Sequence, residues 1–401
     1  MRVTADGREA LLGYCTNVHP AETLAEVWEV LRTYAVPLKK AVSPHAPLGV
    51  GLYLPAAAAE PLAARRESAE GFREFLAQAG LLAFTVNAFP YGDFHGARVK
   101  EMAYRPDWTT PKRLEYTLAA ARGLAALLEP GQTGTVSTLP GSWKAWGMDE
   151  GRLTAMADNL LAAASALDHL REETGRTLVL CLEPEPGCVL ETTAETVSFF
   201  NRHLLGRHVP EAVVRRHLGA CLDTAHLAVQ FEEPAAAIRH LADQGIRIGK
   251  AQLSSALAVR EPWRHPEAVA ALKAFQEPRF LHQLSARTGD GILHLDDLPR
   301  LDGAGEAWLK ASEWRCHFHV PVHRAAFPPL ATTQAELKAA LPALLALPER
   351  PHLEIETYTW SVLPEGERPR DAGGLVDGIA GEFAWVREQI EGKAHARETL
   401  F

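Results

Sequence analysis

Leu178-Val-Leu-Cys-Leu-Glu183-Pro-Glu185, Leu218-Gly-Ala-Cys-Leu-Asp223-Thr-Ala-His226 and His352-Leu-Glu354-Ile-Glu356-Thr-Tyr share one plan: an apolar run that stops at acidic residues. A fourth run, Trp314-Arg-Cys-His317-Phe-His319-Val-Pro-Val-His323, ends in histidines. Side chains alternate faces along a strand, so Glu183 with Glu185, His317 with His319, and Glu354 with Glu356 each share a face. Buried parallel strands that finish in Glu, Asp and His are how a (β/α)8 barrel builds a site at its C-terminal rim. Glu183, Asp223 and Glu356 brought to one rim would repel one another without a cation. Carboxylates with imidazoles suit a divalent ion such as Mn, Zn, Co or Mg.

Working outward, the same alternation runs through the chain. Strands are predicted at Leu11–Val18, Leu48–Leu54, Leu81–Ala88, Gly134–Leu139, Thr177–Glu183, Leu218–Asp223, Ile246–Leu253 and His352–Thr357. Helix-period segments lie between them, at Ala21–Ala41, Ala56–Ala79, Pro111–Leu128, Glu150–Glu173, Thr193–Leu205, Pro234–Gln244 and Thr333–Leu345. Eight strands alternating with helices predict a TIM barrel, and a doubly wound open sheet is the alternative. Residues 1–401 are expected to form one barrel domain. Residues 257–330 form an insertion between the seventh and eighth strands, too long for an ordinary βα loop. It contains a hairpin expected around Thr288-Gly-Asp-Gly291 and should lie on the catalytic face, because it leaves from a strand's C-terminal end.

Composition narrows the classes. With 401 residues and 47% apolar content the chain can bury a large core, and its formal charge of −9 disfavours a nucleic-acid partner. No apolar run is long enough for a membrane span, and Met1-Arg-Val-Thr-Ala-Asp-Gly lacks the core of a signal peptide. Five scattered cysteines without a CxxC pattern read as buried thiols of a cytoplasmic protein. Dinucleotide, Walker and nucleophile-elbow motifs are absent.

After the third strand, Asn87–Trp108 shows no periodicity and carries Phe89, Tyr91, Phe94, His95, Lys100, Tyr104 and Trp108. Long loops of this kind are lids or binding loops. With Trp143 and Trp146, Trp263 and Trp360 they place aromatic side chains on the predicted catalytic face, which fits a carbohydrate or an aromatic metabolite. Tyr91, His95, Trp108, Trp143, Glu185, His226 and His317 are the candidate substrate-binding residues.

At Glu183, Asp223-Thr-Ala-His226, His317-Phe-His319 and Glu356-Thr the chain resembles the xylose isomerase-like TIM barrels, which include sugar isomerases and epimerases and endonuclease IV. The resemblance implies a metal held by Glu183, Asp223 and Glu356, with Glu183 and Glu356 also serving as the catalytic acid–base pair. In Gly249-Lys-Ala-Gln252-Leu-Ser254, Gln252 stands where that family carries a ligand histidine, so Gln252 and His319 complete the expected set. Over nearly the full length, Gly13-Tyr-Cys-Thr-Asn-Val-His, Asn87-Ala-Phe-Pro-Tyr-Gly-Asp-Phe-His-Gly, Ser137-Thr-Leu-Pro-Gly-Ser-Trp and Leu182-Glu-Pro-Glu-Pro-Gly are similar to the metabolite traffic (EboE) family of bacterial ebo operons. That likeness implies handling of a secondary-metabolite precursor, with other ebo-operon proteins or a second copy of the chain as partners. Three readings follow: a metal-dependent isomerase or epimerase of a small polyol, keto-sugar or metabolite precursor; a carrier that keeps the rim without catalysis; and a phosphodiesterase of the endonuclease IV kind. The last needs a histidine on the second strand, where Leu52-Tyr-Leu-Pro55 has none.

Overall fold

In the computed structural model, which describes residues 1–96 and 98–392, eight parallel strands close into a barrel. They are β2 (Arg8–Cys15), β3 (Leu48–Tyr53), β4 (Leu81–Asn87), β5 (Thr133–Thr138), β6 (Thr177–Leu182), β7 (Leu218–Asp223), β8 (Arg247–Leu253) and β15 (His352–Ile355). Each pairs with the next, β15 pairs with β2, and the β2–β3 pairing closes the ring. Every residue of β3 and β7 is buried, as strands covered by helices outside and side chains inside must be. No helix among the described residues is long and apolar enough to cross a membrane.

All eight predicted strands are present, with differences that have local causes. An additional strand, β1 (Arg2–Ala5), pairs antiparallel with β2. The Asp6-Gly7 turn between them has both residues at positive φ, 50° and 71°, the conformation of a tight hairpin. The first barrel strand stops at Cys15 rather than Val18. The Thr16 hydroxyl accepts the Tyr53 N–H at 2.8 Å, so a side chain replaces the ladder there. The first helix begins at Leu24, not Ala21, because Thr23 and Glu26 form a reciprocal capping box.

The region between β8 and β15 builds a second, antiparallel sheet in the order β11-β10-β12-β9-β14-β13. Its strands are β9 (Leu257–Arg260), β10 (Leu284–Thr288), β11 (Gly291–Leu295), β12 (Glu313–Cys316), β13 (Ala326–Phe327) and β14 (Leu330–Thr332). The hairpin expected at Thr288–Gly291 joins β10 to β11. Because β9 starts four residues after β8 ends, this sheet stands at the C-terminal end of the barrel.

One layer below the rim, the barrel interior holds a closed ion pair. Lys250 on β8 and Glu354 on β15 lie 2.6 Å apart, both side chains fully buried. Lys250 also donates to the Ser137 hydroxyl at 3.0 Å. Gly51 on β3 makes the room, since a β-carbon there would overlap the Glu354 carboxylate. Removing one member leaves the other charge buried and alone, so Lys250→Met should destabilise the fold by about 3–5 kcal/mol, seen as a lower denaturation midpoint.

The C-terminal helix, Ala372–Glu391, carries a second buried carboxyl. Glu382 accepts hydrogen bonds from the Val322 N–H, the Thr357 hydroxyl and the Trp360 indole. Burial pushes its pKa from 4.5 up to about 7 against those donors. As pH rises, the unfolded chain releases this proton first, so the group's stabilising contribution falls between pH 4.5 and about 7. Glu382→Gln, neutral throughout, should lose less stability than the native chain as pH is raised from about 5 to about 7.5, measured by thermal unfolding.

Candidate metal centre

The Asp-x-x-His spacing is first a helix start. Asp223 ends β7 and caps the short helix Thr224–Val229, its Oδ1 accepting the N–H groups of Ala225 at 2.8 Å and His226 at 3.0 Å. The Ser254 hydroxyl donates to the same oxygen at 2.6 Å. Oδ2 is buried without a partner. Burial pushes this carboxyl up, but the imidazoles of His226 and His319 and the donors on Oδ1 outweigh it and hold it below its usual range.

His317 and His319 arrive from the second sheet. Beyond β12 the chain runs extended, with the His317 N–H bonded to the Gln283 carbonyl and the Val320 N–H to the Ser255 carbonyl, each at 2.8 Å. Phe318 packs away from the site, stacked on His282 at 4.5 Å and edge-on to Phe275 at 5.1 Å. That alternation turns the two histidines to the other side.

Three imidazoles then meet. His226 Nε2 lies 3.0 Å from His317 Nε2, which lies 3.1 Å from His319 Nε2. Each ring's other nitrogen faces an acceptor: His226 Nδ1 the Pro184 carbonyl at 2.9 Å, His317 Nδ1 the Gln283 side-chain oxygen at 2.7 Å, and His319 Nδ1 the Glu356 carbonyl at 3.1 Å. An Nδ1–H donated outward leaves the Nε2 lone pair facing inward. Three lone pairs at hydrogen-bonding distance have no proton to share unless one ring is charged. Burial holds His317 well below its usual range and lowers His319 to about 4. The spacing is close to the roughly 3.3 Å between nitrogens bound at about 2.05 Å to a tetrahedral ion.

The carboxylates complete the donor set. Ligand atoms of Glu183, Asp223 and His226 lie within 4.8 Å of one another, as do those of Asp223, His319 and Glu356. Burial, then the neighbouring Glu356 and Asp223, push Glu183 well above its usual range. Burial, then Asp223 and Glu354, do the same for Glu356. Glu183 Oε2 has no partner, whereas Glu356 Oε1 accepts the amides of Asn17 at 2.8 Å and Asn87 at 3.2 Å. Unpartnered buried oxygens beside three inward lone pairs fit a divalent cation, which would draw both glutamates back toward the ionised form.

These groups open onto a cavity of about 530 Å³, counting its mouth. Glu183, Glu185, His226, His317, His319 and Glu356 line it. Glu185, accepting the Tyr104 hydroxyl at 2.8 Å, is pushed by burial up to about 7. Gln252 points into the barrel interior, with its oxygen 3.5 Å from the Cys221 sulfur and its amide nitrogen unpartnered. It lies outside the cavity wall, as do Tyr91, His95, Trp108 and Trp143. Trp108 is fully buried and donates to Thr138 Oγ1 at 3.2 Å, and Trp143 stacks behind Tyr104 at 4.7 Å. Tyr91 packs edge-on against Tyr116 at 5.1 Å, and His95 edge-on against Phe94 at 5.3 Å, its pKa lowered by burial to about 4. The wall is made instead by Phe89, Phe94, Tyr104, Phe280 and Tyr358. Phe280 and Gln283 carry no sequence signal, because their place depends on the insertion folding back.

No family model matches the chain, and no curated protein matches it at the sequence level. Among solved structures it is similar to an L-ribulose 3-epimerase, at 14% identity and a TM-score of 0.50, over 95% of this chain and 95% of that one. It is also similar to the IolI protein with a bound zinc atom, at 10% identity and a TM-score of 0.51, over 95% of this chain and 99% of that one. The fold is thus a (β/α)8 barrel shared with those proteins. Its rim carries a donor set suited to a divalent metal.

Gln283 fixes the His317 ring and donates to Tyr104 at 3.1 Å and to the Pro186 carbonyl at 2.8 Å. Gln283→Leu should weaken divalent-metal affinity about 10–100-fold in calorimetry while circular dichroism stays native.

Proposed function

We propose that this chain is a divalent-metal-dependent isomerase or epimerase of a small hydroxy-carbonyl compound. The observation that carries the reading is the set of three inward Nε2 atoms beside two buried glutamates whose proton affinities are raised. His226, His317, His319 and Asp223, with Glu183 and Glu356, are the residues that would hold the ion. A bound divalent ion supplies Lewis-acid polarisation of a carbonyl and its neighbouring hydroxyl. Glu356, with Oε1 held by two amides, presents Oε2 to take the proton from the carbon beside the carbonyl. Glu183, through its unpartnered Oε2, returns a proton. Tyr104 and Glu185 form a hydrogen-bonded pair that orients a substrate hydroxyl. Of the two residues that the family resemblance adds to the ligand set, His319 is among those six, whereas Gln252 turns its oxygen to Cys221 and stands outside them.

The resemblance to metabolite traffic proteins extends the proposal to a precursor of a secondary metabolite, handled in the cytoplasm alongside other ebo-operon proteins. A carrier role is the second reading, favoured by Gln252, which turns its oxygen to Cys221 in the position of a ligand histidine.

Metal-loaded protein should incorporate solvent deuterium beside the carbonyl of some member of a panel of ketoses and hydroxyketones, followed by NMR. Glu356→Gln should slow that exchange at least about 100-fold. Ligand binding without exchange across the panel, in both the native protein and Gln252→His, would assign the carrier role instead.

A further inference from the structure

The cavity wall is chemically divided. Toward the imidazoles it is polar. Away from them, Phe94, Phe280 and Tyr358 form a three-way aromatic cluster, with ring centroids 4.9, 5.4 and 5.1 Å apart. Tyr358 also lies 4.7 Å from the His319 ring, so this cluster begins at the candidate metal ligands. Phe89 and Tyr104 form a second aromatic pair at 5.9 Å, with Tyr104 backed by Trp143. Both groups line the same cavity.

Most polar side chains among these rings are already engaged, Asn17 Oδ1 beside Glu356 being an exception. Lys100 Nζ donates to the Phe280 carbonyl at 2.6 Å, the Glu277 carbonyl at 3.3 Å and Asp297 at 2.8 Å. The Tyr104 hydroxyl donates to Glu185 and accepts from Gln283. Asn87 spends its oxygen on the Phe89 N–H and its nitrogen on Glu356. A polyol chain extending from the metal end would therefore lay hydroxyl groups against ring faces with few free partners, which is unfavourable. A flat apolar group would replace water on those faces at no such cost.

The wall is also held in place. The Val99 and Lys100 N–H groups both donate to the Arg279 carbonyl, at 2.9 and 2.8 Å, tying the loop after β4 to the insertion. Phe94 and Phe280, one from each segment, are thereby set against each other before any ligand arrives.

We propose that the substrate is an α-hydroxycarbonyl compound bearing an aryl or similarly flat apolar group. Its oxygen-bearing head sits among the imidazoles and carboxylates, and its body lies between the Phe94–Phe280–Tyr358 and Phe89–Tyr104 surfaces. The assignment rests on the proposed metal-dependent reading of the same site and specifies its substrate class. The insertion then has a stated purpose: it supplies one side of a specificity pocket as well as two imidazoles.

The test compares 2-hydroxyacetophenone with dihydroxyacetone, which share a hydroxymethyl-ketone head and differ in the group beyond it, with D-fructose as the extended polyol. Calorimetry first measures zinc binding to the full chain, then each ligand on the zinc-loaded protein. 2-Hydroxyacetophenone should bind at least about tenfold more tightly than either of the others, as burial of one ring predicts. Phe280→Ala should bring that preference close to unity while zinc affinity stays native, and Phe280→Leu serves if the alanine variant does not fold. Equal or tighter binding of dihydroxyacetone or D-fructose would overturn the substrate class and leave the metal reading standing. So would a preference that survives loss of the Phe280 ring, or no binding of any of the three. Failure of the native protein to bind zinc, manganese or magnesium would overturn both.

Discussion

Buried negative charge without enough positive charge is the constraint around which this molecule is arranged. Five carboxyls, those of Glu183, Glu185, Asp223, Glu354 and Glu356, are buried in or at the mouth of one barrel. The barrel neutralises one of them internally. Lys250 answers Glu354 in the layer below the rim, and Gly51 keeps a wall position empty so that the pair fits. Above that layer the remaining acids are met by imidazoles whose protonation burial opposes. Buried carboxylate oxygens without partners, set beside imidazoles, fit an external cation.

The second sheet is inseparable from that arrangement. A barrel alone would bring Glu183, Asp223, His226 and Glu356 to the rim. His317 and His319 come from a segment that leaves the seventh barrel strand, runs through four short antiparallel strands, and returns past Ser255 to the mouth. The same segment sends Gln283 to orient His317, Phe280 to wall the cavity, and the Val322 N–H to Glu382 on the last helix. One insertion thus supplies two imidazoles, the side chain that orients one of them, and one ring of the cavity wall.

How legible this was varies with the physics. Strands such as Leu218–Asp223 are buried at every position and apolar up to the terminal acid because both faces are covered, and a run of that kind between helical periods is visible in sequence. Glu183, Asp223 and Glu356 were legible as strand-end acids for the same reason. The small hairpin at Asp6-Gly7 left a signal, since two consecutive positive-φ residues call for that pair. Tryptophans gave a misleading one. Trp108 and Trp143 look like a ligand platform in a loop but pack beneath it, and phenylalanines and tyrosines from three separate segments form the actual wall.

The sequence by itself determined the barrel and the acids at its rim, because strand period, burial on both faces and the break at a charged residue are local properties of neighbouring positions. Only the tertiary structure decided that His226, His317 and His319 aim their Nε2 atoms at one point, that Gln252 turns toward Cys221, and that Phe280 faces Phe94. Those outcomes depend on side-chain rotation and on contacts between residues far apart in the chain. A ring nitrogen's role is set by whichever distant carbonyl or amide its other nitrogen meets.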